Sequence, residues 1–338
     1  MVRAPTYSLV VPVFNEQAVL PLLFARLDTL MEDLDGTAEV VLVDDGSRDA
    51  SLAMMTARAG RDPRYRVIAL SRNFGHQVAI TSGLDAAAGE ATVVLDADLQ
   101  DPPELVLALA TKWREGFDVV CAQRLSREGE SPFKRLSADL FYRVLSRLAS
   151  VEIPRNVGDC RLVDRRVLEA LRRMPERERF VRGLVAWVGF RQAIVPYRRA
   201  PRAAGRSNYP LRRMMRLAKT ALVGFSEAPL RLALWGGMAV SSGALLYGAG
   251  VLVMGLTRHD LVPGWSSMMV VTTLLCGLNM LMTGVLGLYV GRVLTEVKAR
   301  PLYVVDHTVG FEAARDARGQ MEELQARLDA APPARRAS

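Results

Sequence analysis

The sequence predicts an α/β protein with a mostly parallel sheet flanked by helices, followed by a membrane anchor. Three observations support this fold class. Short apolar runs alternate with helically spaced apolar residues over the first 200 residues, which is typical of a sheet covered on both faces. Most of these runs end in polar residues, and two long charge-free segments follow the most basic part of the chain.

Six apolar runs are the predicted strands: 8–13, 40–43, 66–70, 92–95, 118–122 and 192–197. The first of them, in YSLVVPVFNE, is short and leads into a polar turn, so we expect a strand there and not a signal peptide. Apolar residues between the runs recur at helical spacing, as at Leu20, Leu23, Leu27, Leu30 and Leu34.

The carboxyl ends of the predicted strands carry the polar residues. Successive strands end in PVFNE, VDDGSRD, SRNFGH, LDADLQDPP and AQR. Ligands of open α/β sheets bind at this edge. We therefore expect the functional site there.

The charge distribution and the cysteine spacing argue against a nucleic-acid-binding protein, a disulfide-rich protein and a zinc protein. The net charge is +8, but nine Lys or Arg and one acidic residue between 198 and 231 account for it, and the rest of the chain is neutral. This distribution favours a juxtamembrane segment facing anionic lipid over a nucleic-acid groove. The three cysteines are far apart and form neither a disulfide framework nor a zinc pattern, as expected in a reducing compartment.

Two charge-free segments, 232–256 and 265–291, are each long enough to cross a bilayer as a helix. Arg258 is the one basic residue between them, whereas basic residues are frequent before the first and after the second. The positive-inside rule then predicts a hairpin with both termini in the cytoplasm. Two central helices of a soluble bundle are the alternative.

Three carboxylates crowd into LDADLQDPP. Asp101 precedes two prolines, and we expect it to cap the following helix. Asp96 and Asp98, two residues apart in an extended chain, point the same way and can share a divalent cation. Mg²⁺ and Mn²⁺ bind one or two carboxylates together with substrate phosphates. Because the chain has neither Gly-x-Gly-x-x-Gly nor a P-loop, the pair predicts a diphosphate-bearing substrate on a carboxylate-based site.

The motifs together resemble a known family. VPVFNE, VDDGSRD, SRNFGHQ and LDADLQDPPE, in this order, are similar to the family 2 glycosyltransferases with a GT-A fold. NVGDCRLVDRR, ERFVRGLVAWVGF, GRSNYPLRRMMRLA and RPLYVV narrow the resemblance to the polyisoprenyl-phosphate glycosyltransferases. It covers roughly residues 5 to 306. Arg206-Ser207-Asn208 departs from the family's frequent Glu-Ser-Lys, which puts an acceptor role of position 208 in doubt.

The resemblance implies a nucleotide-diphosphate sugar as donor, with UDP-glucose expected first and GDP-mannose, UDP-N-acetylhexosamine or an aminoarabinose donor as alternatives. Asp96 and Asp98 would hold Mg²⁺ or Mn²⁺ on the diphosphate, with Asp98 the more direct ligand and a catalytic residue. Gln100 would contact the sugar or the metal's surroundings. The nucleoside pocket would be lined by Pro12, Asn15, Glu16, Asp44 and Asp45.

The implied acceptor is a polyprenyl phosphate, whose oxygen would attack the anomeric carbon of the donor sugar with inversion and displace the nucleoside diphosphate. A phosphate monoester has its second pKa near ~6, so its oxygen needs positioning more than deprotonation. The resemblance assigns this task to Arg124, Arg135 and Arg202, although Arg135 in an amphipathic helix also suits lipid headgroups. Asp159 matches a proposed catalytic base, and an orienting role is equally expected.

The expected organisation is a catalytic domain (1–200), a basic juxtamembrane segment (201–231), the two spans and a cytoplasmic tail (292–338). Amphipathic helices at 133–149 and 210–224 would lie on the bilayer surface. The protein is then a multi-pass inner (plasma) membrane enzyme. For the tail after Gly310, assembly of a homo-oligomer and disorder both stay open.

Two further alternatives remain. A processive polysaccharide synthase also joins such a sheet to membrane helices, but the chain lacks the Gln-x-x-Arg-Trp motif of those enzymes. A non-catalytic membrane scaffold would keep the fold without the carboxylates. The retained Asp96, Asp98 and Asp159 disfavour that alternative.

Overall fold

The structure is a computed structural model that describes residues 4–125, 157–174, 176–177, 179–197, 230, 233–240, 242–243, 246–247 and 264–311. The strands are β1 (Tyr7–Val13), β2 (Ala38–Asp44), β3 (Tyr65–Leu70), β4 (Ala91–Val94), β5 (Val119–Arg124), β6 (Val157–Asp164), β7 (Gln192–Tyr197) and β8 (Val305–Val309). The helices are α1 (Leu20–Asp33), α2 (Ser51–Ala59), α3 (His76–Ala86), α4 (Leu105–Arg114), α5 (Arg165–Arg172), α6 (Val181–Trp187) and α7 (Trp265–Val297).

All eight strands belong to one sheet with the order β7-β5-β6-β4-β1-β2-β3-β8. The pairs β1–β2, β1–β4, β2–β3 and β5–β7 are parallel. The pairs β3–β8, β4–β6 and β5–β6 are antiparallel. The α/β fold with a mostly parallel sheet is confirmed, and the two strands missing from the predicted set, β6 and β8, make all the antiparallel pairs.

Helices cover both faces of the sheet, so its central strands are buried on both sides. Leu9 and Val11 of β1 belong to the same apolar core as residues of α1, α2 and α4, whereas Val10 belongs to the core that contains residues of α3, α5 and α6. Successive side chains of a strand point to opposite faces, so one apolar run supplies both cores. This leaves the strand ends as the surface on which a site can form.

A glycine joins two of the loops at the carboxyl edge. Gly46 follows β2 with φ of +70°, and a Cβ there would lie 2.6 Å from main-chain atoms of Arg72 and Asn73. A side chain is therefore excluded by both backbone conformation and space. The close approach holds the loop after β2 against the loop after β3.

Helix α7 is the membrane candidate in the described part of the chain. Its segment Leu274–Val297 is long and apolar enough to cross a bilayer, and none of its most apolar window is buried. It overlaps most of the predicted span 265–291. About half of the predicted span 232–256 lies outside the described residues, so the two-helix hairpin stays a prediction.

The chain after α7 returns to the sheet. Glu296 near the end of α7 accepts a hydrogen bond from the main-chain N–H of Arg177 at 3.0 Å. Tyr303 Oη donates to Asp85 Oδ2 at 2.9 Å, and β8 then pairs with β3. The carboxyl end of α7 is thus attached to the α/β domain.

Candidate active site

The first part of the site is the loop after β1, which is hydrogen-bonded to the loop after β2. Asn15 Oδ1 accepts from the N–H of Arg48 at 2.8 Å, and the N–H of Asn15 donates to Ser47 Oγ at 3.0 Å. Asn15 has φ of 56°, a conformation that asparagine tolerates better than most residues. The N–H of Glu16 donates to Ser51 Oγ at 2.9 Å. These bonds give the expected nucleoside pocket a defined wall.

Two carboxylates at the end of β2 organise the neighbouring loops. Asp44 is buried, and its Oδ2 accepts from the N–H of Ser47 at 3.1 Å. Asp45, also buried, accepts from the N–H groups of Phe74 at 2.7 Å and Gly75 at 3.0 Å. Burial raises the pKa of Asp45, although these two main-chain donors oppose that effect. Asp45 therefore bridges the loops after β2 and β3.

Asp96 and Asp98 follow β4 in the structure as expected. Asp98 Oδ1 accepts from the N–H of Gln100 at 3.1 Å, within a tight turn in which Leu99 has φ of 57°. Oδ1 of Asp96 is buried and has no hydrogen-bond partner among the residues that the structure describes. A buried polar oxygen of this kind usually has a ligand, an ion or a water as its partner.

A further carboxylate of the site, Asp159, lies on β6. Arg182 at the start of α6 donates to both of its oxygens, from Nε to Oδ1 at 2.9 Å and from Nη2 to Oδ2 at 3.0 Å. Gln77 Nε2 donates to Oδ1 at 3.3 Å. His76 Nε2 lies 3.3 Å from Asp159 Oδ2 and 3.5 Å from Asp96 Oδ1. His76 is therefore the link between the two carboxylates.

The charges in this cluster shift its protonation equilibria. Burial raises the pKa of Asp96 to about 6, since the opposing charge of His76 only partly compensates. Burial would also raise the pKa of Asp159, but hydrogen bonds from His76 and Arg182 outweigh it and hold that pKa well below its ordinary value. Burial lowers the pKa of His76, and its bond to Asp159 and the two carboxylate charges more than reverse this.

The residues fit a divalent cation. His76, Asp96 and Asp159 each offer one ligand atom, and these three atoms lie within 4.8 Å of one another. The unpartnered oxygen of Asp96 is a hard carboxylate donor of the kind that Mg²⁺ and Mn²⁺ prefer. Asp98 is not part of this group, so its metal role stays a prediction.

Asp101 does not cap α4, so that prediction is wrong. The N-cap residue is Glu104, and no side chain caps the helix start. Asp101 is almost fully buried and pairs with Arg124 Nη2 at 3.2 Å. Tyr197 Oη donates to Asp101 and accepts from Arg124 Nε at 3.0 Å. A carboxylate buried this deeply needs charged and hydrogen-bonding partners, and here they come from the ends of β5 and β7.

Most of the predicted site residues meet at the same sheet edge. Those on the ends of β1, β2, β4 and β5, or in the loops that follow, are Pro12, Asn15, Glu16, Asp44, Asp45, Asp96, Asp98, Gln100 and Arg124. Asp159 reaches it from β6, whereas Arg135 and Arg202 lie outside the described residues. His76, Gln77, Arg182 and Tyr197 were not singled out from the sequence, although SRNFGHQ and ERFVRGLVAWVGF contain the first three.

Comparison with known proteins identifies the class. The profile described as glycosyl transferase family 2 matches residues 8–172. Glycosyltransferase YkcC of Bacillus subtilis is 45% identical over 320 residues, covering 95% of this chain and 99% of the relative. The SfII prophage-derived bactoprenol glucosyl transferase of Shigella flexneri is 38% identical over 298 residues, covering 88% and 96%. A prophage bactoprenol glucosyl transferase homolog of Escherichia coli K12 is also 38% identical over 298 residues, covering 88% and 97%.

The α/β fold, the carboxylate site and these relatives define a glycosyltransferase. The chain belongs to glycosyltransferase family 2. This membership favours an enzyme over a non-catalytic scaffold.

Proposed function

We propose that this enzyme transfers one sugar, with inversion, from a nucleoside-diphosphate sugar to a polyprenyl phosphate at the cytoplasmic face of the inner (plasma) membrane. The observation that carries the proposal is the similarity to bactoprenol glucosyl transferases over 88% of the chain, a length that exceeds the α/β domain. A membrane-sized, unburied segment in α7 supports a lipid-borne acceptor. UDP-glucose is the donor that we propose first, with GDP-mannose and UDP-N-acetylhexosamine as alternatives.

The donor pocket is proposed at the loops after β1 and β2. Their hydrogen bonds, such as those of Asn15 with Arg48 and Ser47, make the loops a preorganised wall. Asp44 and Asp45 lie at its base, and a carboxylate there suits the hydroxyl groups of a ribose. Pro12 and Glu16 complete the proposed pocket.

Asp98, the more direct ligand by the family resemblance, and Asp96 are proposed to hold the metal, and Gln100 to contact the sugar or the groups around the metal. A divalent cation held by these residues would supply positive charge that stabilises the departing nucleoside diphosphate. The support for Asp96 is its buried oxygen without a partner in the described part of the chain. The support for Asp98 is its position two residues further along the same loop.

The acceptor phosphate is proposed to bind arginines, namely Arg124 with Arg135 and Arg202. Arg124 is oriented by Asp101 and Tyr197, so little rotamer freedom remains to be lost when an anion binds. A monoester dianion attacks without help from a strong base, since its second pKa is near ~6. Anchoring the reaction at the bilayer is the proposed task of segment 201–231 and of spans 232–256 and 265–291.

A donor panel tests the proposal. The full chain in membranes or detergent is incubated with undecaprenyl phosphate, Mg²⁺ or Mn²⁺, and radiolabelled UDP- and GDP-sugars. We expect label in the organic phase with one donor, and its loss on chelation of the metal. Label that stays water-soluble with every donor would overturn the proposed acceptor.

A further inference from the structure

Both oxygens of the Asp159 carboxylate already lie within hydrogen-bond distance of polar side chains in the described part of the chain. Its Oδ1 receives Arg182 Nε and Gln77 Nε2, and its Oδ2 receives Arg182 Nη2 while lying 3.3 Å from His76 Nε2. The side chain of Asp159 is only 9% exposed. A general base must place a free lone pair within hydrogen-bond reach of the proton it removes. Asp159 would have to break part of this arrangement first.

Gln77 connects this carboxylate to the helix that carries Arg182. Its Nε2 donates to Asp159, and its Oε1 accepts from the N–H of Val181, the first residue of α6, at 3.1 Å. The two contacts need opposite ends of one amide, so they determine its orientation together. The amino ends of α3 and α6 are thus joined at Asp159.

His76 is the outward end of the arrangement. The imidazole is about half exposed, and its Nε2 lies 3.3 Å from Oδ2 of the buried Asp159 and 3.5 Å from Oδ1 of Asp96. Two parallel bonds from a guanidinium give geometric specificity that a single contact does not. The position of His76 beside Asp96 therefore depends on Arg182 through Asp159.

We propose that Arg182 and Gln77 are positioning residues, which hold Asp159 as a fixed anion so that it places His76 against Asp96, and that Asp159 does not accept a proton from the substrate. This inference rests on the proposed function, because it concerns the same transfer reaction. It assigns roles to Gln77 of α3 and Arg182 of α6, which both donate hydrogen bonds to Asp159. The negative charge and the two oxygens of Asp159 are then used for orientation.

Kinetics of Arg182→Ala, Arg182→Lys and Gln77→Ala test the proposal. Residues that hydrogen-bond to a metal-binding side chain and fix its orientation typically contribute 10–100-fold to metal affinity or activity. We expect kcat of Arg182→Ala to fall by roughly that factor with the donor KM little changed. Arg182→Lys should recover little, because an ammonium cannot make two parallel bonds. Arg166→Ala, at an exposed arginine of α5, is the matched control and should keep the wild-type kcat.

A double-mutant cycle separates positioning from independent roles. Arg182→Ala and Asp159→Asn act on one unit, so the double variant should be no slower than the slower single variant. The acid limb of the kcat profile should persist in Asp159→Asn, since no proton passes to that carboxylate. Three results would overturn the proposal. They are a kcat of the double variant equal to the product of the two single losses, full recovery of kcat in Arg182→Lys, and loss of the acid limb in Asp159→Asn.

A second readout needs no turnover. The chain has three histidines, so the ring NMR signal that disappears in His76→Gln is assigned to His76. It should shift in Arg182→Ala and in Gln77→Ala and stay in place in Arg166→Ala. An unmoved signal in the first two variants contradicts the positioning roles. Failure of the wild type to label any lipid contradicts the proposed function alone, and the NMR series still decides this inference.

Discussion

The guanidinium of Arg182 donates two parallel hydrogen bonds to the carboxylate of Asp159, at 2.9 Å and 3.0 Å. The two residues lie on different elements, α6 and β6, and the pair joins them at the carboxyl edge of the sheet. Beside this pair lie His76 and Asp96, so the site contains one carboxylate with several hydrogen-bond donors and one whose buried Oδ1 has no hydrogen-bond partner in the described part of the chain and lies 3.5 Å from His76 Nε2. This difference is the basis for proposing that Asp159 orients its neighbours and that Asp96 binds the metal.

Asp96→Asn is expected to abolish metal-dependent turnover. The amide replaces a carboxylate oxygen that has no partner in the described part of the chain, and a neutral oxygen binds Mn²⁺ more weakly. We expect a loss of at least about 100-fold in Mn²⁺ affinity, measured in the presence of UDP, with a comparable loss of activity. Glu115→Gln, at an exposed carboxylate at the end of α4, is the control. Unchanged Mn²⁺ binding by Asp96→Asn would refute the metal assignment.

Tyr197→Phe is expected to destabilise the protein. The hydroxyl donates to the buried Asp101 and accepts from Arg124, and both partners lose a bond when it is removed. The expected decrease in the free energy of unfolding is about 1–3 kcal/mol, the cost of a buried polar group left unsatisfied. Denaturant titration in detergent measures it. A variant as stable as the wild type would show that Asp101 is satisfied without Tyr197.

Two glycine substitutions should have opposite effects. Gly46→Ala forces a side chain into a left-handed conformation and against main-chain atoms at 2.6 Å, so we expect a loss of about 1–3 kcal/mol or more. Gly60 is the residue that follows α2, and its backbone has an ordinary helical conformation. The Cβ that Gly60→Ala adds would lie 3.5 Å from Thr56 O, an ordinary contact distance. It should stabilise by about 0.4–1 kcal/mol. Equal melting temperatures for the two variants would contradict the loop packing around Gly46.

The stability of the α/β domain should depend on pH through Asp62. A hydrogen bond from Arg64 is the main cause of the lowered pKa of Asp62, which also pairs with Arg58 at 3.2 Å. A lowered folded-state pKa gives stability that is present above the unfolded value of about 3.9 and is lost as pH falls through the folded value. Asp62→Asn should therefore cost stability at pH 7 and much less near pH 2. Asp33→Asn, on the exposed end of α1, is the control, and a pH-independent effect of Asp62→Asn would argue against the ion pairs.

Six strands were predictable within a few residues because each contains a short apolar run, although β7 is largely not buried. Strand β6 was missed because Gly158, Asp159 and the buried Arg161 interrupt its apolar pattern. Arg161 is tolerated there because it donates to the main-chain oxygens of Gly158 and Asp159. Strand β8 was missed because it has five residues and includes the polar Asp306 and His307, so no apolar run indicates it. Its main-chain pairing with β3 stabilises the strand instead.

The carboxylates after β2 and β4 were predictable because topology brings the ends of parallel strands to one edge. Asp159, near the start of the antiparallel β6, was expected only from the family resemblance. Their partners were not, since partners depend on tertiary packing. Local sequence favoured a helix cap for Asp101, but Tyr197, 96 residues away, is what binds it. Arg182 meets Asp159 only because α6 packs beside β6, and no periodicity in the sequence reports that contact.

The mass of the lipid product tests the central claim most directly. The full-length enzyme is incubated with undecaprenyl phosphate, UDP-glucose and Mn²⁺, and the lipid extract is analysed by mass spectrometry alongside an Asp96→Asn sample. We predict lipid phosphate enlarged by one hexose for the wild type and unmodified lipid for the variant. Release of UDP with unmodified lipid, or a product carrying a polymer of sugars, would contradict single-sugar transfer to a polyprenyl phosphate.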